Sequence, residues 1–226
     1  LPEVRLIGFT PEAELLLTKA ANICYEKHSD FSASGAKPKL IKSIVKMGHF
    51  SILEHASFTF LITGLSRAAS HQLVRHRLAS YSQRSQRYVD ETGFSYVIPN
   101  SIAAVSKTAE KFENLMKLIA ELYGEFIESG IPKEDARYIL PNAAATSIMV
   151  TMNARELLHF ITLRTCLRAQ WEIREVAEKM LELAREKAEV IFEDAGPNCV
   201  RGPCTEGKLT CGKIEQVREK YRKKPE

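Results

Sequence analysis

Apolar residues at Ile102, Val105, Ala109, Phe112, Met116, Ile119, Tyr123 and Phe126 recur at intervals of three and four. That spacing places them on one helical face and predicts a long, unbroken amphipathic helix stopped at Gly130. Elsewhere the period falls to two. Phe58, Phe60 and Ile62 alternate with Thr59, Leu61 and Thr63, which predicts a strand with a buried face, ended by Gly64. Further strand candidates are Val4 to Gly8, Phe94 to Ile98 before Pro99, and the β-branched, sulfur-rich run Thr146 to Met152.

Helix signals fill the gaps between these runs. Thr10-Pro11 with Glu12 and Glu14 combines a cap, a proline at the first helical position and early acids, so a helix is expected from about residue 11 to 26. Ser32 to Lys39 reads as loop, and Leu40, Ile41, Ile44, Val45 and Met47 as a short helix ending near Gly48. A helix after Gly64 carries Gln72 toward Arg75, and Pro132 opens a short helix through Arg137. Asn153-Ala154-Arg155-Glu156 has the form of a capping box, in which Asn153 takes the first backbone donors and Glu156 reaches back. Helix then continues, interrupted near Arg168, to about Phe192. The expected class is α+β: a helix-rich single domain over residues 1–195, with a small mixed or antiparallel sheet flanked by long helices, and a basic tail over 196–226 containing Cys, Gly and Pro.

Composition narrows the function classes. A net charge of +4 spread along 226 residues gives little whole-molecule attraction to a polyanion. No apolar run reaches the roughly 18 to 20 residues that cross a bilayer, and Leu1 does not open a secretory signal. A soluble, cytoplasmic protein with no membrane association is expected. Five cysteines, an odd number, argue against a disulfide framework. Cys199, Cys204 and Cys211 lack CxxC spacing and would need a fourth ligand from elsewhere to hold zinc, so no metal is expected and the tail reads as flexible and partly ordered.

The chemistry concentrates in RHRLASYSQRSQRYV, Arg75 to Val89: four arginines, a histidine and three serines, with no carboxylate anywhere between Glu54 and Asp90. Guanidinium forks and hydroxyls suit phosphate-bearing ligands. The plain alternative is a solvated basic face, but such faces ordinarily intersperse both signs. A nucleic-acid-binding module is the rival reading, although only Tyr81 and Tyr88 are available for base stacking. A second cluster runs from Asn153 to Ile173, where Arg155 and His159 share one helix face, as do Arg164 and Arg168. Charges held on a helix with an apolar core face need partners, and a ligand could be one. A third stretch places His49, Ser51, Glu54 and His55 ahead of a strand without HExxH spacing, so a metal is not favoured. No GxG occurs, which leaves no glycine-rich nucleotide loop.

Arg75-His76-Arg77 followed after seven residues by Ser85, with Arg87-Tyr88 behind it, resembles the signature of the flavin-dependent thymidylate synthases. GHFSILEHASFTF upstream, ARYILP at 136–141 and NAR…LR…AQWEI over 153–173 extend the resemblance from about Val4 to Phe192. It implies the thymidylate synthase-complementing protein fold for residues 1–195. The implied enzyme is a homotetramer with active sites at subunit interfaces, using FAD to convert dUMP to dTMP, with 5,10-methylenetetrahydrofolate as carbon donor and NADPH as reductant. It implies flavin contacts at Ser51, Arg75, His76, Arg77, Gln83, Asn153, Arg155 and His159. It also implies dUMP contacts at Gln72, Arg75, Gln83, Arg84, Ser85, Gln86, Arg87, Arg137 and Arg164. Arg164 is the implied catalytic residue, set against the uracil to favour ionisation at N3, and no nucleic acid is an expected partner.

Ser85 is read as a binding residue, because no histidine–carboxylate relay is visible beside it. Gln83 replaces a glutamate found in many relatives, His159 an asparagine, and Arg168 a histidine of some members. A cysteine-nucleophile methylase acting through Cys204 is the remaining rival, and the tail lacks the motif that would surround such a nucleophile.

Overall fold

The computed structural model describes residues 2–25 and 35–221; Glu26 of the first expected helix and residues 32–34 of the expected loop lie outside them. In chain order the elements are β1 (Glu3–Phe9), α1 (Ala13–Tyr25), α2 (Pro38–Met47), a 3-10 turn (Phe50–His55), β2 (Ser57–Ser66), α3 (Arg67–Leu73), β3 (Ala79–Gln83), α4 (Asn100–Ala103) and α5 (Ser106–Glu128). They continue with α6 (Lys133–Ala136), a 3-10 turn (Arg137–Ile139), β4 (Ala145–Asn153), α7 (Ala154–Arg164), α8 (Trp171–Lys187), α9 (Glu189–Phe192), α10 (Asn198–Arg201), a 3-10 turn (Gly207–Leu209) and α11 (Ile214–Tyr221). The class is α+β, with one antiparallel sheet in the order β1-β2-β4-β3.

Backbone and side-chain bonds fix the sheet register. Thr10 N donates to Ser57 O at 2.9 Å, Ala154 N to Ala56 O at 2.7 Å, and Arg67 N to Ala144 O at 3.0 Å. The hydroxyls of Thr59 and Thr151 meet at 2.9 Å. Alternation buries Phe58, Phe60 and Ile62 on β2, as the period of two predicts, and Ile148, Val150 and Met152 on β4, which its β-branched composition marked only as a strand.

Gly64 does not end β2. It takes φ +70 inside the strand, a conformation that suits glycine, and the next buried position is Leu65, out of phase with Ile62. Ser66, the last residue of the strand, is the cap of α3, where its Oγ accepts from Ala69 N at 3.1 Å.

Three other expectations are corrected. Helix α1 starts at Ala13 rather than at Pro11, because Thr10 is engaged by the sheet: its Oγ1 accepts from Ser57 N at 2.9 Å. The long amphipathic helix is broken at Val105, whose extended backbone (φ −118, ψ 100) caps α5 while Thr108 Oγ1 donates to its carbonyl at 2.7 Å. Phe94 to Ile98 makes a single antiparallel bridge, Tyr96 with Ala144, rather than a strand.

The chain divides into two compact units. Unit 1 comprises residues 1–3, 62–75 and 81–149, and its core gathers Phe94, Met116 and Ala144 with Tyr96, Phe112 and Ile119. Unit 2 comprises residues 4–61, 76–80 and 150–226, with α7 packed on α8 and on the 3-10 turn at Phe50–His55. Phe58 and Phe192 meet edge to face at 5.4 Å in its core.

The segment after residue 195 is folded through Tyr221, in place of the expected flexible tail. Arg218 donates from Nε to Cys199 O at 2.8 Å and from Nη2 to Gly202 O at 3.0 Å, while buried Tyr221 donates to Glu178 Oε1 at 2.9 Å. These bonds replace the hydration that a loose tail would keep. The Tyr221 ring lies so close to Gly196 that a β-carbon there would sit 3.0 Å from Cδ1. Gly196→Ala is therefore expected to loosen the tail by about 1 to 3 kcal/mol, the usual cost of overpacking, read as faster amide exchange in α11 with α8 unchanged.

Candidate active site

In unit 2 the site is built at the start of α7. Asn153 Oδ1 accepts from Glu156 N at 2.9 Å, which is the expected cap. Glu156, however, turns its carboxylate to His76, Oε1 to Nδ1 at 3.1 Å, instead of completing the box. On the opposite edge of the same ring, Arg164 Nε bonds His76 Nε2 at 3.1 Å.

An arginine has donors only, so Nε2 must be the unprotonated acceptor. The single ring proton then sits on Nδ1 and is donated to Glu156. Burial, Arg164 and His159 together push the His76 imidazole down to about 4, so it is neutral at pH 7. Burial raises Glu156 against the opposing effect of His159 and Arg155, and burial lowers Arg164. Both His76 and Glu156 are 5% exposed, and Phe160 packs edge-on against the imidazole at 4.9 Å.

Of the residues expected to contact flavin, His76 alone is buried, and its ring nitrogens are committed to Glu156 and Arg164. Ser51, Arg77, Arg155 and His159 are exposed and Asn153 half-buried. A cavity of about 1180 Å³ in unit 2 is lined by Arg155 and His159, with Lys42, Lys46, Phe50 and Leu158 among its other walls. Glu156, Glu193 and Asp194 also line it, and Lys42 and Arg155 are paired with Glu193 and Glu54, so the wall combines apolar area for an aromatic ring with a mixed set of charges from which cations can serve a diphosphate. Among the described residues no three His, Cys, Asp or Glu side chains are grouped to hold a metal ion.

In unit 1 the remaining expected residues fall on α3, just after it at Arg75, on β3 and the turn after it, and at Arg137. Gln83 donates from Nε2 to Ser70 Oγ at 3.0 Å, and Ser85 Oγ accepts from Arg87 N at 3.2 Å, a local turn bond with no base in it. Arg87 grips Glu134 with two nitrogens at 3.0 and 2.8 Å, and Arg84 Nε lies 3.2 Å from buried Glu91. The segment that is unneutralised along the chain is thus partly neutralised in space, as is Arg155 by Glu54 in unit 2. Arg75 and Arg77 make no ion pair among the described residues. Paired arginines of this kind offer a small anion a few remaining donors rather than a polyanion a continuous stripe.

Two residues escape sequence reasoning. Glu156 has the spacing of half a capping box, and only the fold shows that His76, eighty residues earlier, claims its carboxylate. Arg67 belongs to no motif: its Nη2 donates to Arg84 O at 2.8 Å, while its buried Nε has no hydrogen-bond partner among the described residues. Burial lowers its guanidinium, and Arg137 and Arg84 add to that against Glu91. The absence of acids around it is the one available signal.

Residues 5–190 match the family model described as thymidylate synthase complementing protein. The chain belongs to this family. A flavin-dependent thymidylate synthase of Geobacter sulfurreducens is 52% identical, covering 97% of this chain and 98% of its own. One from Pyrococcus furiosus is 44% identical over 97% and 96%. Among solved structures, the UMP/dUMP methylase PolB from Streptomyces cacaoi bound with 5-Br dUMP aligns with a TM-score of 0.78 at 27% identity, covering 85% of this chain and 93% of that one. Membership of the family spans both units and takes in Arg75-His76-Arg77, Ser85, Asn153, Arg155 and Arg164.

Proposed function

We propose that the protein is a flavin-dependent thymidylate synthase that methylates dUMP to dTMP with FAD, taking its carbon from 5,10-methylenetetrahydrofolate and its electrons from NADPH. The observation that carries this reading is the buried chain from Glu156 through His76 to Arg164, which holds one guanidinium by its Nε within a chain of this family. Arg155 and His159, on one face of α7 and at the cavity wall, are the residues that would hold the flavin, with Ser51, Arg75, Arg77, Gln83 and Asn153. When bound, FAD supplies the hydride that reduces the transferred one-carbon group.

The chain's own residues bind, orient and polarise. Gln72, Arg75, Gln83, Arg84, Ser85, Gln86, Arg87 and Arg137 are the proposed dUMP contacts, the guanidinium groups serving its phosphate. Arg164 is the proposed catalytic group: a fixed cation beside the uracil favours the N3-deprotonated, electron-rich ring that attacks carbon. A cytoplasmic homotetramer with its sites at subunit interfaces completes the proposal. Among the described residues no helix is long and apolar enough to cross a membrane.

The test is the visible spectrum of the purified protein after FAD is added and the excess removed, followed by anaerobic NADPH with dUMP. Retained oxidised flavin that bleaches on reduction, with dTMP appearing once the folate is added, is the expected result. A protein that stays colourless overturns the reading. Arg87→Ala is expected to raise KM for dUMP by about tenfold with kcat nearly unchanged, since it removes a binding contact rather than a transition-state one. Its pair with Glu134 is exposed and screened by solvent, so the variant should fold normally.

A further inference from the structure

We infer that Glu156 and His76 are a positioning pair that sets the orientation of Arg164 by fixing the imidazole tautomer, an inference that rests on the proposed role of Arg164 at the uracil. The Glu156 carboxylate accepts from His76 Nδ1 at 3.1 Å, which leaves a lone pair on Nε2. That lone pair receives the Nε–H of Arg164 at 3.1 Å. A planar guanidinium bonded through Nε has its rotation about the terminal bond restricted, so the direction of its Nη edge is set by the imidazole.

The alternative tautomer is incompatible with this geometry. A proton on Nε2 would face the Nε–H of a permanently charged arginine, and neither group could accept from the other. Protonation of both nitrogens is opposed by burial and by Arg164 itself, which is why the imidazole is held near 4. Glu156 lies in the first turn of α7, where the helix N-terminus favours its charged, accepting form. Phe160 and His159 pack against the ring at 4.9 and 5.7 Å and limit its rotation.

The arrangement resembles the orienting carboxylates behind catalytic or metal-bound imidazoles, with a guanidinium in place of the substrate or metal. Neither Glu156 nor His76 needs to touch the substrate. Both act through Arg164.

The decisive variant is Glu156→Gln, which keeps shape and volume. The new amide can either accept from Nδ1–H or donate to Nδ1, so it no longer selects the Nδ1-protonated tautomer as a carboxylate, which only accepts, does. In flavin-loaded enzyme, kcat for dTMP is expected to fall on the order of 10- to 100-fold, the usual effect of removing an orienting partner, with FAD content and KM for dUMP little changed.

The 15N shifts of His76 should show Nδ1 fully protonated in the parent protein and only partly so in the variant. His76→Gln combined with Glu156→Gln should recover much of the loss, because the amide carbonyl introduced by His76→Gln accepts from Arg164 whichever group lies behind it. An Nε2-protonated His76 in the parent protein, or a Glu156→Gln variant with unchanged kcat, would overturn the inference. A parent protein that shows the expected tautomer but makes no dTMP would instead remove the proposed function and leave the pair intact.

Discussion

Arg164→Ala is expected to lower dTMP formation by on the order of 100- to 1000-fold, the loss seen when one preorganised donor is taken from a developing oxyanion. The flavin spectrum should remain, because the cavity carrying Arg155 and His159 is lined by other residues. Truncation leaves His76 Nε2 without its Arg164 donor, but a lone pair is accessible to water in the vacated space, so a small stability loss is expected beside the large kinetic one. Arg164→Lys should recover little, since an ammonium cannot reproduce a planar fork held at Nε. Single-turnover formation of dTMP from pre-reduced enzyme is the measurement. Loss of bound FAD in the alanine variant would reassign Arg164 to cofactor binding. Cys204→Ala serves as the control that should leave turnover nearly intact, because its thiol sits in the folded tail rather than on the elements that carry Arg164.

Much of this geometry was legible in the chain because periodicity reports burial directly. The alternation at Phe58, Phe60 and Ile62, the run Thr146 to Met152 and the Asn153 cap all survive folding, since each depends on residues within one element. What was not legible depends on partners distant in sequence. Thr10 has the composition of a cap, yet the neighbouring strand claims its hydroxyl; Glu156 has the spacing of a capping box, yet a buried imidazole claims its carboxylate.

The charge pattern misleads for the same reason. No acid lies between Glu54 and Asp90, but Glu134 and Glu91 reach Arg87 and Arg84 from the flanking sequence. Local composition measures which groups are near along the chain, whereas Coulomb attraction depends on distance in space. The tail shows the converse case: its glycines and prolines suggest looseness, but Gly196 is there to admit the Tyr221 ring.

Phe160→Ala should cost more stability than Arg164→Ala, Arg87→Ala or Gly196→Ala, and it should also affect turnover. Its ring is fully buried on α7, so truncation is expected to cost about 3 to 5 kcal/mol through lost burial and the cavity left behind. For a chain of this size that corresponds to a fall in Tm on the order of 10 °C. The same ring stands edge-on to His76 at 4.9 Å, so its removal opens space beside the imidazole that orients Arg164.

Phe192→Ala separates the two effects. Phe192 is equally buried and packs on Phe58 at 5.4 Å, so it should show a similar drop in Tm. Assayed well below both midpoints with FAD bound, the Phe192 variant should turn over at close to the parent rate and the Phe160 variant several-fold more slowly. Equal rates in the two would mean that Glu156 and Arg164 alone hold the imidazole, and that the aromatic edge contributes to the core without contributing to the site.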